Sequence, residues 1–82
     1  MTKLPYSIVI EATKESNFFC FYSPDLEGFT GAGYSVEDCI LKARQGMAEH
    51  VTLLQQNNLT IPAMNPASRI TIRDESGMLE AA

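Results

Sequence analysis

The sequence predicts an α+β single domain in which one long helix packs on a small sheet, in the order β-β-β-α-β. Three observations carry this. A chain of 82 residues has room for one modest core, and 45% hydrophobic with 20% charged residues is the composition of a globular chain. Apolar residues alternate in short runs near both ends, the period of half-buried strands. Between those runs they recur every three or four residues, the period of an amphipathic helix. Residues 1–82 therefore read as one domain, with a core over about residues 4–73 and no repeat or linker to divide it.

The first strand spans Tyr6 to Ala12, where Tyr6, Ile8 and Ile10 share one face and Ser7, Val9 and Glu11 the other. The polar stretch Thr13-Lys14-Glu15-Ser16-Asn17 turns the chain into Phe18-Phe19-Cys20-Phe21-Tyr22, aromatic enough to be a strand buried on much of both faces. These two form a hairpin. Pro24 and Gly28 in Ser23-Pro24-Asp25-Leu26-Glu27-Gly28 break the ladder, since one lacks an N–H and the other takes positive φ. Phe29 to Tyr34 follow as a third strand, in which Gly31 and Gly33 mark a bulge or a close backbone approach.

Ser35-Val36-Glu37-Asp38 resembles a capping box and opens the helix, with acids in its positively polarised first turn. Val36, Cys39, Ile40, Ala43, Met47, Val51 and Leu54 then draw one apolar stripe that must pack on the sheet. Asn57-Asn58 stops the helix, Pro62 and Pro66 keep the next segment extended, and Arg69-Ile70-Thr71-Ile72-Arg73 alternates as the last strand. As the final element, Arg69 to Arg73 would offer a pairing edge, which suggests a homodimer.

Ten acids against six bases give a net charge of -4, the wrong sign for an electrostatic grip on phosphate backbones. No apolar run approaches the roughly 18 residues that cross a bilayer, and the N-terminus has no signal-like apolar region, so the expected address is the cytosol. In that compartment Cys20 and Cys39 are expected as reduced thiols. The only histidine, His50, stands at the border of the helical stripe without a companion nucleophile or ligand set, so neither a catalytic triad nor a zinc site is expected. Gly28, Gly31 and Gly33 match neither a P-loop nor a dinucleotide fingerprint and read as turn and strand glycines. Glu11, Asp25 and Glu27 would make a divalent-cation site only if the fold gathered them. No cofactor is expected. The charge order says more: between Lys14 and Lys42 there is no base, but Glu15, Asp25, Glu27, Glu37 and Asp38 are all acidic. Such a stretch either keeps the chain soluble or faces a basic partner and speeds the encounter.

The run Ser23-Pro24-Asp25-Leu26-Glu27-Gly28-Phe29, followed by Thr30, Gly33 and then Ser35-Val36-Glu37-Asp38-Cys39 opening a long helix, resembles the HicB family of antitoxins. Tyr6 to Glu11 and Phe18 to Tyr22 look like the family's first two strands, and Ile61-Pro62 like its short Ile-Pro segment. The departures are Glu27, where the family usually carries a small residue or Pro, and Phe29, where it carries Cys. The resemblance implies a partly RNase H-like domain that is not itself an enzyme and inhibits HicA, a small basic toxin that cleaves mRNA with a histidine. Many members continue into a DNA-binding module. Only nine residues follow Arg73, so neither that module nor direct nucleic-acid binding is expected here.

On this reading the loop from Asp25 to Tyr34 and the acids near it contact the partner. Asp25, Glu27, Glu37 and Asp38 supply long-range attraction, and Phe29 and Tyr34 the apolar contact. Two other classes stay open: a degenerate RNase H-like, metal-dependent nuclease, and a solitary structural subunit.

Overall fold

The computed structural model describes residues 4–73 and 79–81. Its elements are β1 (Ile8–Ala12), β2 (Phe19–Tyr22), β3 (Thr30–Gly33), α1 (Val36–Gln56), β4 (Ile70–Arg73) and β5 (Leu79–Ala81). They build one mixed sheet in the order β3-β2-β1-β4-β5, with α1 on one face. β1 pairs antiparallel with β2 (Val9↔Tyr22, Glu11↔Cys20) and parallel with β4 (Ile8↔Ile70, Ile10↔Ile72).

β5 is an element that the sequence reading lacked. It pairs antiparallel with β4 (Thr71↔Ala81, Arg73↔Leu79), so Ile70–Arg73 is an interior strand. The self-pairing edge expected there is already occupied by the chain itself. A three-residue strand of Leu, Glu and Ala has too few positions to show a period, which is why it left no trace in the sequence pattern.

The helix begins and ends for identifiable reasons. Ser35 has extended backbone and its side chain accepts a hydrogen bond from the Asp38 N–H at 3.0 Å. Asp38 reaches back to the Tyr34 N–H at 2.9 Å, one residue earlier than a capping box requires. At the other end the Leu59 N–H bonds to the Leu54 carbonyl and the Asn58 N–H to that of Gln55, with Asn58 at φ 56°. This is a Schellman closure in which asparagine takes the left-handed position usually given to glycine.

The stripe read from the sequence is the buried one: Cys39, Ala43 and Met47 are buried, and Val36, Ile40 and Val51 pack around them. They meet Tyr6, Ile8, Ile10 and Phe21 from the sheet, together with Leu4, Leu26 and Phe29 from flanking segments. β2 is fully buried only at one position. Phe21 is buried, Phe19, Cys20 and Tyr22 are half-buried, and Phe18 precedes the strand and is exposed. The glycines permit close packing. A Cβ at Gly31 would run into the Phe21 ring, and one at Gly33 would lie 2.9 Å from Cys39 Sγ. Among the described residues no helix is long and apolar enough to cross a membrane.

Candidate functional site

The Asp25 to Tyr34 segment begins as a turn held from two sides. Ser23 is buried, and its hydroxyl donates to the Ser7 carbonyl at 2.6 Å while accepting from the N–H groups of Asp25 and Leu26. Asp25 in turn accepts from the Ser7 N–H at 2.8 Å and from Asn65 Nδ2 at 3.1 Å. The Arg69 N–H closes onto Ser7 Oγ at 2.9 Å. Three segments distant in sequence are thereby tied together: the start of β1, the β2–β3 turn and the loop before β4. Hydrogen bonding to its charged form, first from the Ser7 backbone and then from Asn65, holds the Asp25 carboxyl below its usual value of 3.8. Asp25 therefore anchors the turn. Next to it Leu26 is inserted into the core, and Gly28 takes φ 77° to let the chain return into β3.

Phe29 is placed differently from the expectation. Its ring is only 7% exposed, 5.9 Å from the Phe21 ring and 5.8 Å edge-on from that of His50, and it lies against Gly46 of α1. It is a core side chain in this structure, and presents little surface of its own. The position before a strand carries no burial period, so the sequence pattern could not distinguish the two roles.

At the helix N-terminus Tyr34 is 70% exposed and stands beside the exposed Glu37. Asp38 is occupied locally: it accepts from the Tyr34 N–H and meets Lys42 Nζ at 3.1 Å, and both interactions hold its carboxyl below 3.8, the backbone bond foremost. Lys42 Nζ also lies 5.1 Å from the centre of the Tyr34 ring. Glu27 is exposed and belongs to another place, a cleft of about 250 Å³ shared with Leu26, His50, Leu54, Thr60 and Pro62. From Glu37 to His50 the helix axis advances about 20 Å at ~1.5 Å per residue. The acids thus divide into two groups, at opposite ends of the β3–α1 side, instead of forming one cluster.

Of the six residues singled out, Glu27, Tyr34 and Glu37 present exposed side chains, Asp25 and Asp38 are partly covered by internal bonds, and Phe29 is buried. Glu11, Asp25 and Glu27 are not gathered. Glu11 faces Arg73 at 3.9 Å across the β1–β4 pair, and among the described residues no three His, Cys, Asp or Glu side chains converge as a metal site would require. Cys20 and Cys39 are both free, and burial, with Asp38 beside it, raises the pKa of the Cys39 thiol. His50 is half-buried against Phe29, as expected of a boundary histidine. The residues missed by sequence reasoning are Ser7, Ser23 and Asn65. The signal available for Ser23 was its place two residues before Asp25, where a serine hydroxyl satisfies turn N–H groups.

Comparison of the chain with protein-family models, with curated proteins and with solved structures finds no match.

Proposed function

We propose that this chain is a HicB-like inhibitory binding protein, which neutralises a small basic HicA-type toxin by direct protein–protein contact. The observation that carries the reading is the coincidence of the resembling residues with the determinants of the β2–β3–α1 unit. Asp25 anchors the turn, Leu26 fills the core, Gly28 supplies the positive φ, Gly33 admits the helix and Ser35 caps it. The resembling residues thus fall in one structural unit, which supports the reading. The β1–β2–β3 meander with β4 parallel to β1 also supports a partly RNase H-like architecture.

Charge supports the same reading. Glu27 and Glu37 are exposed, and Lys42, which lies over Tyr34 on this side, is paired with Asp38, so the charge left uncompensated among these residues is acidic and attracts a basic surface at long range. The test is co-expression with the product of the neighbouring gene, which the reading predicts to be a small basic HicA-type protein. The reading predicts that the two co-purify as one particle in size-exclusion chromatography. Separate elution at micromolar concentrations would refute it.

A further inference from the structure

The order β3-β2-β1-β4-β5 leaves β3 at an edge, where it pairs only with β2 among the described residues. The hydrogen-bond phase of the sheet decides which groups face outward. The Ser23 N–H bonds to the Phe29 carbonyl at 3.2 Å, and the register continues through Phe21↔Gly31 and Phe19↔Gly33. Antiparallel pairs alternate between bonded and non-bonded, so Gly31 and Gly33 bond to β2, while the N–H and C=O groups of Thr30 and Ala32 point away from the sheet. The other flank of β2 agrees. The Thr13 N–H bonds to the Phe18 carbonyl, and the register Glu11↔Cys20 and Val9↔Tyr22 directs Cys20 and Tyr22 to β1, leaving Phe19 and Phe21 for β3.

The next outward group along the edge, the Tyr34 N–H, is closed by Asp38 at 2.9 Å. The open edge is therefore bounded. Within it, Thr-Gly-Ala-Gly carries no charge and no proline, two of the devices by which edge strands avoid pairing. The side chains of Thr30 and Ala32 are exposed, and Gly31 adds no bulk of its own.

Charge identifies the occupant. An antiparallel pairing of β3 with a second copy, centred on Gly31, would direct Glu27 of each copy toward the Ser35 end of the other, where Glu37 stands beside an Asp38 already paired with Lys42. Like charges opposed across a pair are destabilising. A segment bearing lysine or arginine meets complementary charge at the same two ends. We propose that the free edge of β3 accepts an extended basic segment of the toxin as an added strand. Main-chain bonds from Thr30 and Ala32 hold it, and Glu27 and Glu37 set its register. This rests on the reading of the chain as an inhibitor of a basic toxin and adds where and how that toxin binds.

The probe is the neighbouring gene product that the proposed function predicts to be HicA-type, with its catalytic histidine replaced by alanine. Amide hydrogen exchange of the full chain, alone and saturated with the probe, reads the Thr30 and Ala32 N–H groups directly. Both are expected to become protected. In parallel, Ala32→Pro removes one outward N–H at an edge position where proline is compatible with the sheet, and Ala32→Ser retains it. The proline variant is expected to bind at least about tenfold more weakly than the serine variant, on the order of one main-chain hydrogen bond. Exchange in the unsubstituted chain keeps the test valid even if Ala32→Pro folds poorly. Probe binding with Thr30 and Ala32 unprotected and Ala32→Pro unaffected would overturn the edge and leave the inhibitor reading standing. No binding by the unsubstituted chain would overturn both. Protection of these amides in the free chain that grows with its own concentration would assign the edge to a second copy and overturn the proposal.

Discussion

Phe29→Ala is the substitution whose outcome depends most on the placement of one ring. The side chain is 7% exposed and packs on Phe21, on His50 and on the bare backbone of α1 at Gly46. Truncation forfeits about 1.5–3 kcal/mol of transfer free energy for the buried ring. Aromatic pairing adds about 0.5–1.5 kcal/mol. Gly46 has no side chain with which to fill the void, so a cavity remains and the total falls in the upper part of the ~3–5 kcal/mol range for such changes. Against a total stability of about 5–15 kcal/mol for a domain, this is enough to bring a small one close to unfolding. Phe29→Leu retains most of the volume and is expected to cost about 1–2 kcal/mol. The chain has no tryptophan, so urea unfolding is best followed by far-ultraviolet circular dichroism. A change within about 0.5 kcal/mol for Phe29→Ala, the range of ordinary surface positions, would refute the core assignment and return Phe29 to the candidate contact residues.

Asp25→Asn is expected to lower stability by about 1 kcal/mol at pH 7, because bonds to a charged acceptor become bonds to a neutral one. Since folding lowers the Asp25 pKa, its contribution is complete above the unfolded value of 3.8 and is lost as pH falls through the folded value. The parent's stability is therefore expected to drop more steeply below about pH 4 than the variant's, in urea titrations at stepped pH. Ser35→Ala removes the helix cap and is expected to cost about 1 kcal/mol in the same assay. On the proposed function, the double variant Glu27→Gln, Glu37→Gln is expected to slow association with the HicA-type partner and flatten its dependence on salt while leaving dissociation nearly unchanged, read by stopped-flow mixing.

How much was legible in the sequence follows from where the physics is local. The helix was readable at both ends because Ser35 and Asn57-Asn58 act on backbone groups a few residues away, and its buried stripe because the period is set by one element alone. The β1–β2 hairpin was legible for the same reason. β5 was not, being three residues long and defined only by its pairing with β4. Nor was the Ser7–Ser23–Asp25–Asn65 network, whose members come together only when the turn, β1 and the loop before β4 have folded against one another. The candidate contact residues were legible as charge but not as placement. Sequence order puts Glu27 and Glu37 in one acidic stretch, whereas the helix carries them to opposite ends of one side of the molecule. Phe29 sits between them, turned inward.

RNA cleavage by the neighbouring gene product, which the proposed function requires to be a HicA-type toxin, measured while the chain is titrated into the reaction, tests that function most directly. The account predicts that cleavage falls in proportion to the chain added and stops near a fixed stoichiometric ratio, with the chain alone leaving the RNA intact. Cleavage that continues undiminished at a several-fold excess of folded chain would contradict it.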